Sequence, residues 1–299
     1  MRIEIRSYLL LFTLLWLQGQ AGAQVGSQPL LWKATSANNI VYLYGTIHVG
    51  SRAFFPLHPA VEQAFAQSKV VALEADPTNQ TNISAALSQA GYRPPDRIEN
   101  HISAQLASAL SKSLPSLGLP MEAARLMKPY LLSMALSMME VGKLGYDVRL
   151  GLDIHFAQRT QRDGKKLVEL ESMAAQLALF DALSSEVQEA MLKSTLEGVT
   201  SGSMARDLTD LIGAWKTGDE TRLLEAMNRD TRDLPAAARE ELVRIFYRNR
   251  NEAMTEKISD MLLTGSEPHF VAVGAGHLPG DMGIVALLRK KGFEVSRLQ

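Results

Sequence analysis

Cysteine is absent from this chain of 299 residues. The protein therefore has no disulfide bonds, no thiolate zinc site and no cysteine nucleophile, and a lipid-modified cysteine is not expected. The chain is nevertheless long enough to bury a core without cross-links. A strong charge of either sign is also missing, since the formal net charge is -1 at pH 7. We therefore predict no nucleic-acid partner.

Long apolar runs are missing apart from one near the amino terminus. Residues 8–17 form a short apolar stretch, which follows two arginines and precedes the small residues Ala21-Gly-Ala23. This pattern predicts a cleavable secretory signal peptide over residues 1–23, with an uncleaved anchor as the alternative. We therefore expect a mature chain that starts at Gln24, lacks a transmembrane segment and is periplasmic or secreted.

Several familiar catalytic motifs are missing as well. The chain has no His-Glu-x-x-His sequence and no Gly-x-Ser-x-Gly sequence, which excludes a thermolysin-like zinc site and a serine-hydrolase nucleophile elbow. The glycine-rich turn at residues 274–276 lacks the Lys-Ser/Thr pair of a phosphate-binding loop. We therefore predict no nucleotide site.

Three strand-like runs end in side chains that bind metals. Residues 39–44 lead into Gly45-Thr-Ile-His48, residues 269–273 lead into Gly274-Ala-Gly-His277, and residues 69–73 lead into Glu74. Open α/β sheets bind their ligands outside the carboxyl ends of the strands. We therefore predict that His48, His277 and Glu74 meet at one metal site, where Glu74 is either a ligand or a general base.

The segments around these residues resemble one protein family. Residues 45–50 (Gly-Thr-Ile-His-Val-Gly) and 273–280 (Val-Gly-Ala-Gly-His-Leu-Pro-Gly) resemble the paired motifs of the TraB/GumN family. That family is related to the Tiki metalloproteases and, more distantly, to erythromycin esterases and ChaN-like haem-binding lipoproteins. Residues 151–155 and 164–176 are similar to its middle block, and residues 250–251 to its Arg-Asn block. The resemblance implies a single domain over residues 24–299.

The resemblance also implies a chemistry and a set of residues. It assigns metal-dependent catalysis to His48, Glu74 and His277, with a divalent cation (manganese, cobalt or zinc) as cofactor. It also singles out Arg250, which is suited to a substrate carboxylate or a developing oxyanion. The predicted function is a metal-dependent hydrolase of the cell envelope that cleaves a peptide or ester bond in a peptide or small-molecule substrate.

A second function is compatible with the same resemblance. A non-catalytic envelope protein would use the pocket to bind a metal, haem or a signalling peptide, or would act as an accessory in polysaccharide export. The Tiki relatives favour catalysis, whereas the haem-binding relatives favour binding. Metal analysis and a peptidase screen distinguish these two functions.

The order of strand-like and helix-like segments predicts the fold. Strand-like runs near residues 41, 71, 168, 271 and 295 alternate with helical segments. We predict an α/β fold with a mainly parallel central sheet and large helical insertions at about residues 77–145 and 173–264.

One apolar stripe stands out within the first insertion. A single long helix is predicted over residues 121–144, because apolar side chains recur there at steps of three and four. The stripe comprises Met127, Leu131, Met134, Met138 and Val141. We interpret it as core packing rather than as a hydrophobic peptide-binding groove.

Three further polar residues keep alternative roles at the level of the sequence. Asp153 follows Gly151 at the start of a predicted helix, where it either caps the helix or reaches the pocket together with His155. Glu171 ends another strand-like run and is a candidate ligand, base or helix cap.

Overall fold

Six strands form one mixed sheet in the computed structural model, which describes residues 28–229 and 234–299. The predicted signal peptide lies outside the described residues. The strands are β1 (Leu31–Thr35), β2 (Ile40–Thr46), β3 (Val70–Leu73), β4 (Lys166–Glu169), β5 (His269–Gly274) and β6 (Glu294–Arg297). Their order across the sheet is β4-β3-β5-β2-β1-β6.

Four neighbouring strands of the sheet are parallel. β5 pairs in parallel with both β2 and β3, and β3 pairs in parallel with β4. β1 forms an antiparallel hairpin with β2 and also pairs antiparallel with β6. Every residue of β3 and β5 is buried, as expected for parallel strands that are covered on both faces. The predicted fold class is confirmed.

Helices fill the connections between the strands. α1 (Pro59–Gln67) joins β2 to β3, and α13 (Ile284–Lys290) joins β5 to β6. Between β3 and β4 lie α2 (Gln80–Gln89), α3 (Ala104–Ser113), α4 (Met121–Ala124), α5 (Pro129–Lys143) and α6 (Leu152–Arg162). Between β4 and β5 lie α7 (Met173–Asp181), α8 (Ser185–Ser201), α9 (Ser203–Thr217), α10 (Glu220–Arg229), α11 (Ala236–Val243) and α12 (Asn249–Thr264). None of the helices in the described ranges has the length and apolar character to cross a membrane.

The prediction of one long helix over residues 121–144 is wrong. The structure has two helices there, α4 and α5, and Pro129 occupies the first position of α5. A proline in a helix interior removes a hydrogen bond and clashes with the preceding turn, whereas the first position tolerates it. The chain therefore breaks before Pro129.

The predicted core stripe on α5 is also wrong in part. Val141 is buried, but Met134 and Met138 are 41% and 42% exposed. The face of α5 that packs inward carries Leu132 and Leu136 instead. These leucines belong to a second hydrophobic cluster with side chains from α3 and α8, separate from the cluster around the sheet.

A π-helical turn lies between two of the last helices of the second insertion. The turn spans Arg244–Arg248 and joins α11 to α12. Such turns add one residue to the helical repeat and are frequent at functional sites. This one immediately precedes Arg250 and Asn251.

Candidate active site

The predicted site residues meet at the carboxyl edge of the parallel strands. β2, β5 and β3 are neighbours, and each ends just before one of the three predicted side chains. The position of Gly274 shows how closely they approach. A Cβ atom on Gly274 would lie 3.3 Å from Glu74 Oε1, 3.5 Å from His48 Nε2 and 3.5 Å from His277 Cδ2. One imidazole from each histidine and one carboxylate therefore surround the same point.

His48 is oriented by a carboxylate. Its Nδ1 lies 2.8 Å from Asp153 Oδ2, and the other oxygen of Asp153 accepts a 2.7 Å hydrogen bond from Thr46 Oγ1. The negative charge of Asp153 raises the pKa of His48 to about 9. The His48 side chain is 69% exposed and lines a cavity of about 430 Å³.

His277 is oriented by an amide and is buried. The Nδ2 atom of Asn251 donates to Met282 O at 2.8 Å, so Asn251 Oδ1 is the acceptor for His277 Nδ1 at 2.6 Å. This bond places the proton of a neutral His277 on Nδ1 and leaves a lone pair on Nε2. Burial lowers the pKa of His277 to about 4, which keeps the ring neutral at pH 7.

Glu74 is buried and held on both of its oxygens. Oε1 accepts the Gly274 backbone N–H at 2.7 Å, and Oε2 accepts from Gln176 at 2.9 Å and from Arg250 at 2.7 Å. Burial opposes the ionisation of Glu74. The neighbouring histidines, Arg250 and the Gly274 N–H outweigh it, so its pKa is held below the ordinary value.

Arg250 bridges two carboxylates at the wall of the cavity. Its Nη2 lies 2.7 Å from Oε2 of Glu74 and 2.7 Å from Oε2 of Glu171, and its Nε lies 2.9 Å from Glu171 Oε1. Leaving buried carboxylates without their cation costs about 3–5 kcal/mol. Most of the N–H donors of Arg250 therefore bind carboxylates of the protein, a role that the sequence did not suggest beside the predicted one toward a substrate carboxylate or oxyanion.

The structure separates the three polar residues whose roles the sequence left open. Asp153 lies in the first turn of α6, but the N-cap is Gly151, so Asp153 serves His48 instead of capping the helix. His155 packs on Phe55, with ring centroids 4.6 Å apart, and does not line the cavity. Glu171 binds Arg250, and Ser172 is the residue that caps α7.

Gln176 and Thr46 join the site without having been predicted to do so. Gln176 lies one turn into α7 and donates to both Glu74 and Glu171. Its only signal in the sequence is its position in the middle block of the family. Thr46 is the last residue of β2, two positions before His48, and is fully buried against Asp153.

The donor atoms are of types that bind divalent metals, and one pair of them has a suitable spacing. His277 Nε2 and Glu74 Oε1 lie 3.6 Å apart, which is too long for a hydrogen bond. Two ligands of one tetrahedral ion with bonds of ~2.1 Å lie ~3.4 Å apart, close to this spacing. Both histidines have Nδ1 fixed by a neighbour, the arrangement that is typical of metal-binding imidazoles. Within residues 28–229 and 234–299, however, no three His, Asp or Glu side chains are arranged to hold an ion.

These observations define the class of protein: an α/β protein with two oriented imidazoles and a carboxylate at the carboxyl edge of its parallel strands. A model of the TraB/PrgY/gumN family matches residues 30–297. The chain belongs to this family, and the resemblance found in the sequence is confirmed.

Similar proteins include metalloproteases of animals and a bacterial protein. The chain is 28% identical to Metalloprotease TIKI1 of Danio rerio over an alignment 304 residues long, which covers 85% of this chain and 60% of that protein. It is 28% identical to Metalloprotease TIKI2 of Danio rerio over an alignment 171 residues long, which covers 48% of this chain and 32% of that protein. Uncharacterized protein YbaP of Escherichia coli (strain K12) is 25% identical over 252 residues, 84% of this chain and 89% of YbaP. The matched segments span 60% and 32% of the two TIKI proteins. No solved structure matches the chain.

Proposed function

We propose that this protein is a metal-dependent hydrolase that cleaves peptide bonds, or chemically similar ester bonds. The observation that supports this most directly is the meeting of His48 Nε2, His277 and Glu74 around Gly274. The similarity to proteins named metalloproteases supports the same reaction class.

His48, His277 and Glu74 are the residues that would hold the ion. A bound divalent cation, manganese, cobalt or zinc, would lower the pKa of a water molecule and polarise the scissile carbonyl. The protein's part is to fix the donors. Asp153 orients His48, and Asn251 orients His277 with its lone pair on Nε2.

Arg250 has two roles in this proposal. Its Nε and Nη2 hold Glu171 and Glu74 in place. Among the residues that the structure describes, its Nη1 makes one long bond of 3.4 Å, to Phe246 O, and Arg250 lines the cavity. We therefore assign the other N–H of Nη1 to the oxygen of the substrate that gains negative charge in the transition state.

We propose that the reaction takes place outside the cytoplasm, in the periplasm or after secretion. The support is the leader pattern of residues 1–23, with its basic start, apolar stretch and small residues before Gln24. The enzyme would meet peptides of the cell envelope or the medium there.

The experiment compares histidine variants of the purified mature protein. Metal content is measured by plasma mass spectrometry, and hydrolysis is measured on a peptide library with and without a chelator. We expect His48→Ala and His277→Ala to lose metal and to lower activity by at least about 100-fold. The control is His101→Ala, because His101 also contacts a carboxylate, Asp96, at 2.9 Å but lies outside the cavity.

Two outcomes contradict the proposal. Full metal loading in both site variants would place the ion elsewhere in the protein. A wild-type protein that binds ligands equally well without metal and cleaves no library member would instead support the non-catalytic binding function.

A further inference from the structure

A groove lined by methionines lies among the helices beside the candidate active site. It encloses about 500 Å³ between α5, α8, α9 and α11. Its apolar lining includes Met134, Met138, Met191, Met204, Phe180 and Leu242. Methionine is flexible and polarisable, so such a surface adapts to apolar side chains of different shapes.

The groove adjoins the cavity that contains the histidines. Phe180, Met191 and Leu242 line both of them. The apolar lining continues on the other side, where Trp215 and Met227 face the same cavity as His48 and His277. An apolar path therefore leads from Met134 and Met138 to the proposed reaction centre.

The exposed methionines are not needed for packing. Leu132 and Leu136 of α5 are fully buried against α8, which satisfies the inward face of the helix. Met134 and Met138 project from another face and remain 41% and 42% exposed. A ligand that covers these side chains would remove their apolar surface from water, which stabilises the complex.

The polar groups of the groove suit the backbone of a peptide. Ser137, Ser194 and Thr195 line it, and in the described part of the chain their hydroxyls have no assigned hydrogen bond. Hydroxyls both donate and accept, so they can serve the N–H and C=O groups of an extended chain. The charged Arg229 is already paired with Asp207 at 3.1 Å and Asp210 at 2.5 Å. The two aspartates outweigh the single arginine, so the described lining of the groove offers no free positive charge to an anionic ligand.

We infer that this groove binds an apolar segment of a polypeptide substrate, to one side of the bond that is cleaved at the histidines. The inference rests on the proposed function and adds a substrate class, namely unfolded or extended peptides with Leu, Phe or Met side chains near the scissile bond.

The test measures peptide binding separately from hydrolysis. The probe is a short fluorescein-labelled peptide rich in Leu and Phe, and the comparison peptide has Ser in their place. Fluorescence anisotropy is recorded on the metal-free protein, so that peptide binding is measured without hydrolysis. We expect the double variant Met134→Glu, Met138→Glu to weaken binding of the apolar peptide by about tenfold or more, because both charges would be buried under it.

The control is Leu263→Glu, which adds one negative charge at a residue that is 55% exposed and outside the groove. It should leave the Kd unchanged. A second variant, Ser194→Trp, fills the groove without adding charge and should also weaken binding. Circular dichroism shows whether each variant is folded. If the double methionine variant does not fold, the result for Ser194→Trp decides the test.

Hydrolysis distinguishes this inference from the proposed function. If both hold, the double methionine variant raises KM for the apolar peptide and leaves kcat/KM for a small chromogenic substrate unchanged. Equal Kd values for the two peptides, or for wild type and folded groove variants, would overturn the inference and leave the hydrolase proposal intact. Selective apolar binding without any hydrolysis would overturn the hydrolase proposal instead.

Discussion

The two histidines of the candidate site differ in their protonation. Asp153 raises the pKa of His48 to about 9, so this ring is protonated at pH 7. Burial lowers the pKa of His277 to about 4, so the second ring is neutral at the same pH. A metal ion would find one imidazole ready to bind and would have to displace a proton from the other.

This difference predicts how metal affinity depends on pH. Between about pH 5 and 9, binding should release one proton from His48, and affinity should rise by about tenfold per pH unit. Calorimetry in buffers of different ionisation enthalpy measures both quantities. In the Asp153→Asn variant, metal affinity should stop rising nearer pH 6.5, the ordinary pKa of histidine. The reason is that the negative charge that raises the pKa of His48 is gone. A metal affinity that is constant from pH 6 to pH 8 in the wild type would contradict this assignment.

The free energy of unfolding of the metal-free protein should also depend on the protonation of His48. The folded-state pKa of His48, about 9, is above its ordinary value of 6.5. The stabilisation that the His48–Asp153 pair contributes is therefore complete below pH 6.5 and is lost as the pH rises through 9.

The sequence identified the side chains at the strand ends, left the role of Asp153 open and missed Gln176. His48, Glu74 and His277 follow apolar runs directly, so strand patterns and parallel topology were enough to place them together. Asp153 and Gln176 lie on helices, and only the docking of α6 and α7 against the sheet brings them to the site. Such contacts between distant segments leave no local periodicity in a single sequence.

At the level of elements, the loop that carries His48 packs tightly on the start of α6. Gly151 is the N-cap of α6, and a Cβ atom there would lie 2.4 Å from the backbone oxygen of His48. Leu152 N also donates to Ile47 O at 3.1 Å. This close approach of two backbones holds His48 within reach of Asp153.

Replacing Gly151 by alanine should therefore damage both stability and the site. We expect Gly151→Ala to lower the free energy of unfolding by about 1–3 kcal/mol, because a backbone must move to admit the methyl group. The control is Gly142→Ala in α5, where a new Cβ meets nothing within 4 Å. The free energy of unfolding of that variant should rise by about 0.5–1 kcal/mol, because alanine is more stable than glycine in a helix interior. Urea unfolding measures both, and equal stability of the two variants would contradict the packing argument.

The errors of the sequence prediction at this level have identifiable physical causes. Periodicity indicates an apolar face on α5 but does not tell whether another element covers it, so the sequence alone predicts Met134 and Met138 in the core. The prediction of one helix over residues 121–144 places Pro129 in a helix interior, although a proline suits the start of a helix better. Both errors fall in the helical region between β3 and β4, where packing is between helices rather than against the sheet.

At the level of the whole molecule, the parallel topology explains why residues from distant parts of the chain form one site. β2, β3, β4 and β5 present their carboxyl ends at one edge, and the helices between β4 and β5 form the wall of the cavity above it. The fold class was predictable from the alternation of strand-like and helix-like runs. The cavity was not, because its lining depends on how α8 to α12 pack against one another.

Export is a prediction for the whole chain. The leader pattern predicts that the mature protein begins at or near Gln24, after Ala21-Gly-Ala23. Mass spectrometry of the intact protein from the periplasmic fraction measures the new terminus. Full-length protein that starts at Met1 and stays with the membrane fraction would instead indicate an uncleaved anchor.

The most direct test of the central claim is a crystal structure of the metal-loaded protein with anomalous scattering data at the absorption edge of the ion. We predict one strong anomalous peak beside Gly274, with His48 Nε2 and His277 Nε2 each within about 2.0–2.3 Å and Glu74 in contact with the ion or its water. A metal-loaded crystal in which the ion lies elsewhere and contacts neither histidine would contradict the claim.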